Sequence, residues 1–393
     1  MKFNKKTDDS TTGSGELLFI SHMRAMAKIA VMLWHLGVVF WYSNGAVANL
    51  CHFEVMTDID SAVPKIYTDI VTAISALNID FGMFGVAIFF LISGFIIPYS
   101  VRQQKAEQMK GFLLKRFLRV WPMYVAGFSI TFLVLSFYLK YMTGLYPYRF
   151  SEYLVQASLL RDWFWVSSID GISWTLEIEI KFYVLFYLLY ILKWIDKPKA
   201  ISGVAAVTAL ACVLYNANQS SILSHSRTLY IVCGVLTMSM MQYIVFILIG
   251  VVIYQYHERN WDLKTSLIVG EVLVFCFTVS VLNSSSANLG SKFIVNYGGA
   301  FLVFLNFYML RERFRKNAFL NFFAKHSYII YIVHGVNGYV LLHFFYGKGL
   351  SFFMSLPLTV IIVLGLAILM RKFVEIPFNN FVKKCFMRKN DIS

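Results

Sequence analysis

Charge is scarce in this sequence. Only 14% of its 393 residues are Asp, Glu, Lys or Arg, against roughly 25% in an average soluble domain. No polar interval is long enough for a soluble enzyme domain, because the longest connections between apolar runs are 43–81 and 140–171. No HExxH, GxSxG elbow, Walker loop or GxGxxG occurs, so metal-dependent and nucleotide-hydrolysing chemistry have no support. The five cysteines, Cys51, Cys212, Cys233, Cys276 and Cys385, show no CxxC or paired spacing, and most lie in apolar runs. They read as small apolar residues, and neither a disulfide framework nor a bound metal is expected. No small-residue cleavage pattern follows a short apolar core near the start, so residues 1–20 read as a cytosolic tail ahead of an uncleaved first span. Neither an internal repeat nor a matched pair of Gly- or Pro-broken helices is found, as an inverted-repeat transporter would require.

What the chain has is apolar length. Hydrophobic residues make up 58% and the mean hydropathy is +0.64, which makes this an integral membrane protein. A spanning helix needs about 20 mostly apolar residues. That rule places spans near 22–42, 82–101, 117–139, 172–194, 200–217, 239–257, 264–283, 292–310, 327–346 and 352–373. The expected fold is all-α, a bundle of about ten transmembrane helices over 21–375, with a basic tail at 376–393. Residues 227–257 leave two readings open: one long tilted helix, or a short interfacial helix followed by a span.

The net charge of +14 would suggest nucleic acid in a soluble chain, but here Lys and Arg collect in alternate connections. The 43–81 segment holds Glu54, Asp58, Asp60, Asp69 and Asp80 against Lys65, whereas 102–119 holds Arg102, Lys105, Lys110, Lys115, Arg116 and Arg119. Lys193, Lys197 and Lys199, then Arg259 and Lys264, then five basic residues in 311–325, continue the alternation. Six more follow between Arg371 and Asn390. By the positive-inside rule both termini are expected in the cytoplasm, with lipid headgroups rather than nucleic acid as the partner of this charge. Lys105 and Lys110 read as headgroup anchors.

Several polar groups interrupt the spans. Arg24 and His35 are eleven residues apart in SHMRAMAKIAVMLWHLGVVF, so a helix returns them to nearly one face, roughly 16 Å apart. Such groups are costly in a membrane unless they face an interior or a wet cavity; snorkelling of Arg24 is the competing reading. Arg116 and Arg119 stand one turn apart in KRFLRVWPMY, the spacing of a phosphate clamp as well as of a membrane anchor. In SWTLEIEIKFY, Glu177 precedes Lys181 by four and is expected to pair with it. Glu179 is turned about 200° away and is the expected interior carboxylate, ahead of Glu271 in the seventh span. Ser93 and Gly94 suit close helix packing or substrate contact. Tyr331 and His334 lie one turn apart, Glu375 is placed to pair with Arg371 or Lys372, and Pro377 is expected to stop its helix. Trp163 and Trp165 suit either a sugar ring or the interfacial aromatic belt.

In order and spacing these pieces resemble the acyltransferase type 3 family of polytopic membrane O-acyltransferases. The matching segments are Arg24 with ten residues before His35, GVAIFFLISGFII from Gly85, KRFLRVWP from Lys115, SWTLEIEIKFY from Ser173, SYIIYIVH from Ser327 and VEIP from Val374. Ala87 departs from the pattern, since many members carry aspartate there. The chain reads as a stand-alone member without an appended hydrolase-like domain. The resemblance implies transfer of an acyl group, commonly acetyl, from cytoplasmic acyl-CoA to a hydroxyl of a carbohydrate or lipid-linked glycan at the cell membrane. Acyl-CoA would be a co-substrate, with no bound cofactor. His35 would be the general base with Glu179 orienting it or stabilising its cation, Arg24, Arg116 and Arg119 would bind the donor, and Ser93, Tyr331 and His334 would line the pocket. A glycan transporter or flippase using Arg24, His35, Glu179 and Glu271 is the alternative from another class.

Overall fold

The computed structural model describes residues 18–390 except 57–61, 103–108, 110, 145, 238–241 and 285–286. Asp58, Asp60, Lys105, Lys110 and most of the N-terminal tail lie outside the described residues. No strand occurs among those described. The helices in chain order are α1 (Leu18–Trp34, carried on through His35–Val39 to Tyr42), α2 (Asn44–Cys51), α3 (Lys65–Ala76), α4 (Phe81–Val101) and α5 (Phe112–Thr143). Next come α6 (Phe150–Ala157), α7 (Trp174–Ile191), α8 (Pro198–His225), α9 (Arg227–Leu236), α10 (Gln242–His257) and α11 (Leu263–Leu282). The last are α12 (Gly290–Met309), α13 (Ala318–His334), α14 (Val336–Gly347), α15 (Phe352–Met370) and α16 (Ile376–Asn390).

A helix lies over each of the ten expected spans. Among the described residues six helices are long and apolar enough to cross a membrane, α1, α4, α5, α8, α11 and α15 with its continuation, and α13 with α14 makes a seventh if the bent pair is one span. The expected span 327–346 is not straight, because α13 and α14 meet at Gly335 with a bend of 64°. Within 227–257 the described residues form a ten-residue helix, Arg227–Leu236, and a sixteen-residue one, Gln242–His257. Pro377 does not end its helix. Arg371–Glu375 forms a wide turn in which the Ile376 N–H reaches the Arg371 carbonyl, and the helix resumes as α16. Proline then falls in the first turn of α16, where a missing N–H costs little.

Side-chain caps start several helices. Asp80, Ser226, Asp262 and Asn317 each accept a backbone N–H from the first turn of α4, α9, α11 and α13, satisfying donors a helix start leaves free. At the centre α1 packs against α4 and α13, and α4 against α10 and α12. Every residue of α10 from Gln242 to Gln255 is buried, as an all-round apolar helix requires. The α4–α10 approach depends on Gly94 and Gly250: a methyl on Gly94 would overlap the Ile247 carbonyl, and one on Gly250 would overlap the Leu91 carbonyl.

Candidate active site

Arg24 and His35 of α1 face the interior of the bundle and not lipid: Arg24 borders a cavity together with residues of α4 and α13, and His35 meets His334 of α13. The cavity, of about 360 Å³, is lined by Arg24, Ser93, Arg116, Arg119, Glu179 and Tyr331, among others, a volume ordinary for a small-molecule site. Lys325 and Glu375 also line it, so four basic side chains face two carboxylates. Arg119 and Lys325 are exposed and Arg24 and Glu179 half-buried, which places the solvent-open mouth beside the start of α5 and α13. A second hollow of about 190 Å³ shares Arg116 and Arg119 and adds Ser100 and Lys115. Arg116 donates to the Ser100 hydroxyl, and Tyr183 donates to Glu179. Ser93 and Gly94 separate into the two roles left open by sequence: Ser93 faces the cavity and Gly94 faces α10.

His35 is not part of this wall. It opens a turn of i→i+5 geometry, in which the Phe40 N–H reaches the His35 carbonyl; such bulges inside α-helices are frequent at functional sites. The carbonyls the turn releases are taken by side chains, Leu36 by the Trp41 indole N–H (3.0 Å) and Gly37 by the Tyr67 hydroxyl (3.0 Å). Burial, and then the neighbouring Tyr42, hold the Tyr67 hydroxyl above its ordinary pKa, so it stays protonated as a donor.

The bulge aims His35 at His334, Nδ1 to Nε2, 2.9 Å apart. Their planes differ by 1° with centroids 5.1 Å apart, the separation of two rings joined edge to edge. The proton positions are assigned from the network. His334 Nδ1 lies 3.0 Å from the Ile330 carbonyl and 2.8 Å from that of Tyr331, and carbonyls only accept, so that nitrogen carries the hydrogen. Nε2 of neutral His334 is then an acceptor, and His35 Nδ1 must donate to it. The remaining nitrogen, His35 Nε2, is left as a free lone pair. It faces Gly82: a methyl there would lie 3.5 Å from Nε2, 3.1 Å from Trp34 and 3.0 Å from the Asp80 carboxylate.

The sequence-based assignments therefore part into two groups. Arg24, Arg116, Arg119, Glu179, Ser93 and Tyr331 share the cavity, whereas His35 and His334 form a pair behind it. Tyr331 joins the two groups, with its ring 5.7 Å from that of His334 and its hydroxyl held by Thr175 (2.6 Å) and the Ile172 carbonyl (3.1 Å). Glu179, expected to orient His35 or to stabilise its cation, lies among the arginines of the cavity, and the imidazole of His35 is held by His334.

Glu177 does not pair with Lys181. Arg161 grips it with two bonds of 2.9 Å, and Lys181 pairs with Asp162. The turn at Arg161–Phe164 presents adjacent opposite charges to α7, and a bidentate guanidinium outcompetes a single i,i+4 pair. Glu271 is exposed on α11, away from the cavity. Glu375 keeps a loose contact with Arg371 at 3.9 Å while facing the cavity. Ala87 is fully buried, and Trp165 is exposed with its ring 6.1 Å from that of Tyr230.

One buried residue escaped the sequence reading. Lys28 lies between Arg24 and His35 on the same face, and its side chain is 0% exposed. Its four-residue spacing from Arg24 was the available signal.

A family model described as an acyltransferase domain, that of the acyltransferase type 3 family, matches residues 17–372. The chain belongs to the acyltransferase type 3 family. It is thus a multi-pass membrane acyltransferase, and the match takes in all of α1 to α15. No curated protein and no solved structure matches the chain.

Proposed function

We propose that this acyltransferase carries an acyl group, most simply acetyl, from coenzyme A to a hydroxyl of a carbohydrate or lipid-linked glycan of the cell envelope, with His35 as general base. The observation that carries the reading is the cavity in which Arg24, Arg116 and Arg119 converge, one tyrosine ring away from an imidazole with a free nitrogen. Guanidinium groups bind phosphate oxygens bidentately, and coenzyme A carries phosphates. Arg116, Arg119 and Lys325 belong to the basic connections that the positive-inside rule assigns to the cytoplasm, which supports entry of the donor from that side, with both termini there as well. The membrane is the cell membrane, and the acceptor reaches His35 Nε2 past Gly82 from the opposite side.

A neutral imidazole takes a hydroxyl proton near physiological pH, and general-base assistance contributes roughly 10² to 10⁴ in rate. His334 keeps the proton of His35 on Nδ1 and the lone pair on Nε2. A proton-coupled transporter would want its intramembrane acids along one path, and the outward position of Glu271 on α11 removes one of them.

The test is acyl transfer from radiolabelled acetyl-CoA to envelope material in membrane vesicles holding equal amounts of each variant. His35→Ala should lower the rate by about 10² to 10⁴, and Arg116→Ala should raise the KM for acetyl-CoA with a smaller effect on kcat. Full-rate transfer by both variants refutes the mechanism. Mass spectrometry of glycans and lipids from cells lacking the protein then identifies the acceptor as the acyl mass that disappears.

A further inference from the structure

Among the buried polar groups of the described residues, Lys28 is a basic side chain set at the seam between the cavity and the imidazole pair. Successive steps of four and seven residues from Arg24 to Lys28 to His35 turn an α-helix by about 40° and 20° from alignment, so the three share the inner face of α1. The Lys28 side chain is fully buried, and Nζ has no hydrogen-bond partner. It stands 4.1 Å from the centroid of the Tyr331 ring and 5.7 Å from that of Phe89, and both rings line the cavity. Ring faces attract an ammonium but accept none of its three hydrogen bonds as an oxygen would. A buried amine without an oxygen partner leaves its N–H donors unsatisfied at a cost, and a ligand oxygen entering at this seam would satisfy one.

We propose that Lys28 Nζ donates a hydrogen bond to the carbonyl oxygen of the donor thioester and stabilises the oxyanion formed when the acceptor attacks. This rests on the acyl-CoA reading above. In the step, the acceptor oxygen forms its bond to the carbonyl carbon as its proton passes to His35 Nε2. The carbonyl π pair moves onto oxygen, beside the Lys28 ammonium. As the oxyanion collapses, the carbon–sulfur bond breaks and the departing thiolate takes the proton from His35, leaving as the free thiol. Lys28 keeps its protons throughout. Because Nζ is buried beside the half-buried Phe89 ring, the thioester reaches it by rotation of that ring, a kind of side-chain change common on binding.

The experiment compares wild type, Lys28→Met and Lys28→Gln as full-length protein, by acetyl transfer in vesicles and by binding of acetyl-CoA and of S-ethyl-CoA, a thioether without the carbonyl oxygen. Loss of one oxyanion donor predicts a fall in kcat of about 10²- to 10³-fold for Lys28→Met. S-ethyl-CoA should bind all three proteins equally, whereas the preference for acetyl-CoA over the thioether that wild type shows should vanish in Lys28→Met. Lys28→Gln keeps an N–H and should recover part of the rate. A purely structural lysine would instead lower the thermal midpoint and weaken both ligands together, and that result overturns the proposal. So does full-rate transfer by Lys28→Met while His35→Ala is inactive, which leaves the acyl-CoA reading standing. If wild type binds neither ligand, the donor assignment itself fails and the proposal with it.

Discussion

At the scale of single residues, the carboxylates of α7 show how neighbours in sequence acquire opposite duties. Glu177 and Glu179 are two apart, so they leave the helix on different sides. One is closed by Arg161, with side-chain exposures of 2% and 15% for the acid and the base; the other faces three arginines in the cavity. Removing one member of a buried pair strands the other charge at a cost of about 3–5 kcal/mol, whereas replacing both with apolar groups is often near neutral. Arg161→Ala should therefore lower the thermal midpoint of the detergent-solubilised protein sharply, and Arg161→Met combined with Glu177→Leu should restore most of it. Equal losses in the single and double variants would show that the pair does not act as a unit. That Glu179 faces the cavity agrees with its lack of an i,i+4 ion-pair partner, although Glu177 is the more deeply buried of the two. The partner of Glu177 was not legible in the sequence, because Arg161 lies sixteen residues away on a turn whose docking no local pattern encodes.

At the scale of elements, close approach and bulges decide the geometry. Small residues let α4 and α10 meet backbone to backbone, and the methyl overlaps at Gly94 and Gly250 leave no room for larger side chains. Gly94→Val should destabilise the bundle by about 1–3 kcal/mol through overpacking, read as a lower thermal midpoint, while leaving the cavity-lining Ser93 chemically intact. An unchanged midpoint would mean that the two helices part more freely than this contact implies. The same Ser-Gly pair was ambiguous in sequence, since adjacent residues point about 100° apart and only the position of α10 says which one packs. The i→i+5 turn at His35 was likewise silent. Nothing in HLGVV demands it, and what supports it comes from elsewhere, with Trp41 and Tyr67 taking up the released carbonyls. At the other bulge, Arg371–Glu375, the expectation that Pro377 ends the helix failed because the wide turn moves proline into a fresh first turn.

At the scale of the whole molecule, the alternation of basic and acidic connections predicts a single orientation in the membrane. Reporter domains fused to the N-terminus and to the C-terminus should be accessible from the same side as a tag inserted in 311–325, and a tag in 43–81 from the other. Opposite accessibility of the two termini would require an odd number of crossings. Helix positions, membrane residence and family membership could all be read along the chain, because apolar length and the order of short motifs are properties of consecutive residues. The convergence of Arg24, Arg116 and Arg119 was foreseen only as a shared purpose, drawn from family resemblance, whereas Glu179, assigned to His35, joins the arginines instead. The pairing of His35 with His334, 299 residues apart, and the burial of Lys28 beneath Tyr331 were decided by tertiary packing alone. Hydrophobicity selects which segments become helices and how they cross the membrane. It does not select how each helix is rotated about its axis, and that rotation, set by side-chain fit between α1, α4 and α13, determines which polar groups meet.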